Sequence, residues 1–272
     1  MVAAVAGMAV FAALAMVLVQ SSRSAIVTAV AEVGQARAAA AADAGVALAL
    51  NGLLIGDRAN RWSIDGRTRV LRFEDTTLRI RIEDERGKVP LGLLDEDTAP
   101  RLIAAAGVGN SEAERIATDS LLDWTDDDDD PRNDGAESAW YERRSIRPRN
   151  GPLQSIDELV AVRGFNAAAV DRVRSFVTVN FGTGGFDARF AQPRAIGIML
   201  AGGEDSPLAI ARERELAGQR VAIEIGDDLD LTGRPLMIVV EAARADGSRA
   251  ARRVVIELTG SRVRPYVVRS FD

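Results

Sequence analysis

MVAAVAGMAVFAALAMVLVQSS (Met1–Ser22) carries no charge before Arg23, and AIVTAVAEVGQARAAAAADAGVALALNGLL (Ala25–Leu54) follows it without a proline. About 20 apolar residues rising ~1.5 Å each cover a hydrocarbon core, so residues 1–22 predict one transmembrane helix. A cleaved secretory signal is the competing reading; it calls for a basic start and a cleavage site followed by a turn or strand. Here helix formers continue instead, interrupted by the interior glycines Gly34 and Gly45 and, near the end, by Gly52. The pattern predicts one helix of about 50 residues, with residues 1–22 in a bilayer and residues 23–55 against a soluble body.

The periodicity then changes. In Thr77–Glu83 (TLRIRIE), Leu78, Ile80 and Ile82 alternate with polar residues, the pattern of a half-buried strand. Arg69–Phe73 reads as its hairpin partner across Glu74-Asp75-Thr76, so a helix covering an antiparallel sheet is expected. From Asp97 to about Arg174 the pattern is helical. A first helix ends at Gly107, and capping boxes at Ser111–Glu114 and Ser155–Glu158 open two more. Asn166 starts another. Strands follow at Phe176–Phe181, Arg220–Ile225, Leu236–Arg244, Ala251–Leu258 and Val263–Val268, with a hairpin turn at Ala245–Ser248. Helices are expected at Pro193–Ala201 and Leu208–Ala217. The fold class is therefore α+β, a long N-terminal helix on an antiparallel sheet with a large inserted all-α subdomain. The divisions are 56–94 for the first β segment, 95–175 for the subdomain and 176–272 for the rest of the α/β body.

Charge is concentrated in DWTDDDDDPRNDGAE (Asp123–Glu137), which carries −7 against −6 for the whole chain, leaving +1 elsewhere. No broad basic surface exists for phosphate. The chain contains neither histidine nor cysteine. That excludes imidazole and thiolate zinc sites, cysteine nucleophiles, histidine-based triads and disulfides. A metal would have to be a hard, oxygen-seeking ion such as Ca²⁺ or Mg²⁺. The aspartate run has two readings, a solvated charged loop or a loop folded around a cation. An EF-hand is excluded by spacing, because Pro131 falls where counting from Asp126 requires glycine. Trp124 on one side and Trp140–Tyr141 on the other anchor the run with residues that seek burial. Like charges held near a core need a counterion.

Five words in order give the chain a resemblance to the large minor pseudopilin, subunit K, of bacterial type II secretion systems. They are AAAAADAGVALAL (38–50), EDERGKVPLG (83–92), LLDWTDDDDDPRNDGAESAWY (121–141), NGPLQSIDELVAVRGF (150–165) and, more loosely, FDARFAQPRAIGIML (186–200). Gly92, Asp187 and Arg189 depart from the family's asparagines. The resemblance implies a pilin-like helix-on-sheet fold and structural Ca²⁺ in the subdomain. Asp126, Asp128 and Glu137 match the family pattern directly, Asp123 and Asp134 are second choices, and Asp127 and Asp129 face water. It further implies a bitopic inner-membrane protein with its C-terminal domain in the periplasm. Its partners would be other minor pseudopilins (I and J) at the tip of the pseudopilus. A prepilin carries a short basic leader, whereas Met1 is followed at once by apolar residues. A leader preceding this sequence is therefore expected, with Gly7–Met8 as the fallback cleavage site.

Two rivals remain. Val162–Phe165 (VRGF) between short helices resembles a helix-hairpin-helix turn, which would suit a membrane-anchored DNA-binding module of a competence-like system. The acidic loop beside it opposes DNA, so packing is the expected role and no nucleic acid is expected as partner. Asp123 and Glu137 as an acid–base pair would suit a secreted calcium-dependent hydrolase. Neither a Walker loop nor a nucleophile elbow occurs, and a non-enzymatic assembly protein is the reading that results.

Overall fold

The computed structural model describes the backbone of residues 2–57, 60–64, 66–182, 185–200 and 231–271, with the side chains of residues 2–15 and 17–19 outside the description. The first helix, α1, spans Val2–Leu54. The expected membrane span thus lies largely on residues whose side chains are not described. Among the described residues, no helix is long and apolar enough to cross a membrane. The helix expected at Leu208–Ala217 and the strand at Arg220–Ile225 lie outside the described residues.

Among the described residues seven strands follow in chain order: β1 (Arg69–Phe73), β2 (Thr76–Asp84), β3 (Val89–Pro90), β4 (Val177–Thr178), β5 (Pro235–Arg244), β6 (Arg249–Leu258) and β7 (Tyr266–Phe271). Five of them form an antiparallel sheet in the order β1-β2-β5-β6-β7. The β1–β2 hairpin forms as expected, with a turn one residue shorter: Phe73 pairs with Thr76, leaving Glu74, in the left-handed region, and Asp75 between the strands. The β5–β6 turn is closed by Arg244 N–H donating to Ser248 O (3.0 Å), with Gly247 at φ +89°. Leu78, Ile80 and Ile82 of β2 lie fully buried beside Ile238 and Val240 of β5 and Val254 and Ile256 of β6. Ala41, Ala42, Val46, Ala49 and Leu53 of α1 pack on this face. The alanines let the helix axis come close. At Gly45 an added Cβ would stand 2.6 Å from Val240 Cγ1, so the sheet requires glycine there.

Two strand expectations are corrected. Among the described residues FVTVNF pairs only at Val177–Thr178, in parallel with β3, outside the five-stranded sheet. The last strand begins at Tyr266, not Val263. Thr259 takes up the carbonyls of Arg264 (through its hydroxyl) and Pro265 (through its N–H), so the chain is still turning at those residues.

Between β2 and β5 lies a second core, built by α2 (Thr98–Ala106), α3 (Ser111–Thr125), α4 (Ser138–Glu142), α5 (Ala167–Val173) and α6 (Pro193–Met199), with a 3₁₀ helix at Ile156–Ala161. α2 stops at Gly107 in the left-handed conformation, as expected. α5 starts at Asn166, whose side chain accepts from Ala169 N–H. The first capping box is displaced by one residue: Asn110, not Ser111, caps α3 by accepting from Ala113 N–H at 3.0 Å. Ser155 caps as expected, but the turn it opens is 3₁₀.

The two cores meet at a buried ionic seam. Arg234, 3% exposed, donates to Asp84 at the end of β2 and to Asp187 (3.0 Å). Asp187 N–H in turn donates to Arg86 O at 2.9 Å. Burial alone would raise the Asp187 carboxyl, yet its hydrogen bonds to Arg189 and Arg234 hold it at about 2. Removing one member of a buried pair strands the other charge, so Arg234→Ala is expected to cost about 3–5 kcal/mol in chemical denaturation. Gly45→Val should cost about 1–3 kcal/mol by prising α1 from β5. An unchanged denaturation midpoint for either variant would contradict the packing described.

Candidate metal centre

α3 delivers acids to an unfavourable place. Asp123 is in its last turn and Asp126 is its C-cap, where the helix dipole already presents negative charge. Asp123 is 0% exposed and Glu137 4%. One carboxylate oxygen from each of Asp123, Asp126 and Glu137 lies within 4.8 Å of the others. Glu137 arrives as the N-cap residue of α4, but its side chain makes no cap hydrogen bond. Both its carboxylate oxygens, and Asp126 Oδ1, are buried without a hydrogen-bond partner.

The loop closes around Asp123. Arg132 donates to it through its backbone N–H (3.2 and 3.3 Å) and through Nη1 (2.8 Å), and Nη1 also reaches Asp126 Oδ2 at 2.6 Å. At Gly135 an added Cβ would stand 1.9 Å from Asp123 Oδ2, so the glycine of the GAE word is required by this approach. Aromatic anchoring holds the ends as expected: Trp124 and Tyr141 meet edge to face with centroids 5.0 Å apart, and Trp140 meets Tyr141 at 4.9 Å.

The structure brings together Asp123, Asp126 and Glu137; Asp128 and Asp134 are not in that group. Asp128 is exposed and its carboxylate accepts from Asp130 N–H at 2.9 Å. Asp134 pairs with Arg115 at 3.1 Å. Asp127 is exposed, and Asp129, also exposed, accepts from Ser138 N–H at 3.4 Å. Two participants are absent from the sequence expectations. Arg132 is one. Asn150 is the other, left-handed at φ +47° and donating through Nδ2 to Asp128 O.

The donor set suits a hard cation. It is all oxygen, and Glu137 and Asp126 present buried acceptors that nothing in the described residues satisfies. Burial first, and then the charges of Asp123 and Asp126, push the Glu137 carboxyl up to about 7. An enzyme site is less well matched, because Asp123 is closed off beneath Arg132. The VRGF turn serves packing: Arg163 N–H donates to Tyr141 OH (3.1 Å), Phe165 N–H to Val162 O (3.1 Å), and Arg163 Nη1 to Gly135 O (2.8 Å). Those amides are not free for a phosphate.

A carboxyl raised on folding stabilises the fold while protonated, and that contribution is lost as pH climbs from its ordinary value of 4.5 to about 7. Without metal, the wild type should therefore lose stability across this range relative to Glu137→Gln. Melting temperatures of both proteins in chelator from pH 4.5 to 7.5 would reveal it, and parallel curves would contradict it.

The family described as Type II secretion system (T2SS), protein K matches residues 93–181. Type II secretion system protein K of Dickeya chrysanthemi is 38% identical over 79 residues, which are 29% of this chain and 22% of that protein's length. The fold is similar to a chain of the crystal structure of the GspK-GspI-GspJ complex from the enterotoxigenic Escherichia coli Type 2 Secretion System. There the TM-score is 0.56 at 14% identity, covering 85% of this chain and 93% of that one. Over residues 93–181 the chain resembles protein K of type II secretion systems, and over most of its length it shares the fold of a chain in the GspK-GspI-GspJ complex.

Proposed function

We propose that this chain is a non-enzymatic minor pseudopilin that sits at the tip of a type II secretion pseudopilus and supports protein export across the outer membrane. The observation that carries the reading is where the protein-K stretch grows from. Asp84 pairs with Leu236 and Thr76 with Arg244, so β2 leaves the sheet at the Leu236 end. α1 lies along the same sheet with Gly34 beside Ser248 and Gly45 beside Val240, so its C-terminal end is also the Leu236 end. The α-subdomain therefore stands at the end of the body farthest from the N-terminus of α1. In a fibre of parallel helices rooted in a membrane, that bulk crowns the growing end and obstructs a further subunit above it.

The partners that suit this role are minor pseudopilins of the I and J types, like those in the complex whose chain has this fold. In this reading residues 1–22 anchor the chain once across the bacterial inner membrane and the body lies in the periplasm. Asp123, Asp126 and Glu137 would hold a structural Ca²⁺, which supplies positive charge at the negative end of α3. Asp128 borders that site, and Asp134 is engaged by Arg115.

Two measurements test the proposal. Tagged full chain, solubilised from its own membranes, should co-purify with I- and J-type minor pseudopilins; recovery without either would contradict the assembly role. Ca²⁺ at about 100 times its dissociation constant should add ~2.7 kcal/mol of stability, reversed by chelator. A melting temperature indifferent to both would refute the calcium reading.

A further inference from the structure

The acidic centre already contains a cation supplied by the chain. Arg132 Nη1 lies 2.8 Å from Asp123 Oδ1 and 2.6 Å from Asp126 Oδ2, the same two carboxylates that converge with Glu137. We propose that Arg132 is a tethered competitor of the metal: its guanidinium neutralises Asp123 and Asp126 in the metal-free protein and is displaced from them when a hard cation enters. The inference rests on the calcium reading above, and concerns what sets the affinity of that site.

Three features of the geometry carry it. The Arg132 side chain is 34% exposed while that of Asp123 is 0% exposed, so the guanidinium has a way out to solvent and the carboxylate has none. The loop's grip on Asp123 does not need the guanidinium, because Arg132 N–H donates to both oxygens of Asp123 from the backbone. The loop therefore stays closed when the side chain leaves. Finally, Arg132 satisfies only part of the centre. Both oxygens of Glu137 remain buried and unpartnered, so one acid stays without a counter-charge. A guanidinium offers donors in one plane, whereas Ca²⁺ gathers about six to eight oxygens around itself and carries twice the charge.

Competition follows from shared oxygens. Entry of the metal must break charge-assisted hydrogen bonds from Arg132, and the observed affinity is the intrinsic affinity reduced by that cost. The contrary account makes Arg132 a support that orients Asp123 for the metal, in which case its loss would weaken binding. The two accounts differ in sign.

The test is calorimetric titration of Ca²⁺ into the full chain in detergent, for wild type, Arg132→Gln and Arg132→Lys. Competition predicts that R132Q binds about tenfold tighter or more, since two charge-assisted hydrogen bonds no longer oppose the metal, while R132K, which keeps the charge, stays near wild type. It also predicts that R132Q melts lower than wild type in chelator and regains the difference in Ca²⁺. A variant that folds only when Ca²⁺ is present would support the same conclusion. Weaker or equal binding by R132Q, or R132K binding as tightly as R132Q, would overturn the inference while leaving the calcium site standing. Binding by R132Q alone would mean that Arg132 is not displaced in the wild-type protein, and would overturn both the displacement and the calcium reading. Binding by none of the three would overturn both.

Discussion

A carboxylate with no exposure to water must be neutralised or hydrogen-bonded, and Asp123 imposes that requirement on the whole α-subdomain. Its position in the last turn of α3 makes the demand stronger, because the carbonyl end of the helix adds partial negative charge. Much of the loop's form answers it. Arg132 turns back to give both its amide and its guanidinium, and Gly135 omits the side chain that would collide with Asp123. Glu137 is then brought into the same space with no partner of its own. A set of carboxylates in this arrangement is under-compensated by the chain, which is the condition that favours a divalent cation.

The subdomain so organised is not hung loosely on the body. Arg234 at the start of β5 spans to Asp84, where β2 ends, and to Asp187, where the chain returns. Thr178 donates to the buried Glu85, which also pairs with Lys88, the single lysine of the sequence. Burying these charges is costly, but together they fix the subdomain's orientation through directional contacts that an apolar seam would not supply. A rigid crown at one end of a helix-on-sheet body is what the proposed capping role needs.

How far the sequence reached depended on the range of the forces involved. Local signals were readable. The alternation of Leu78, Ile80 and Ile82 placed β2, the Ala245–Ser248 turn placed the second hairpin, and Asn166 and Gly107 marked helix ends. The errors are long-range or competitive. β3 and β4 are two-residue strands that exist only because residues far apart in sequence pair in parallel. Val263 suggested a strand, yet it is 90% exposed and belongs to the turn that Thr259 closes. At α3, Asn110 won the cap because its side chain reaches Ala113 N–H from an extended backbone. Within the site, the family resemblance names Asp126 and Glu137 directly and Asp123 as a second choice, and the structure brings these three together. Burial at the end of a helix is a property of packing and leaves no mark on a run of aspartates. Arg132 was hidden for the same reason, since a guanidinium finds its partners only once the loop has folded.

The account stands on the claim that the acidic loop is built around a divalent cation. Native mass spectrometry of the full chain, released from detergent after incubation with Ca²⁺, counts bound ions directly. The account predicts a species heavier than the polypeptide by at least one Ca²⁺, which disappears after chelation. A spectrum showing only the bare polypeptide mass under both conditions would contradict it.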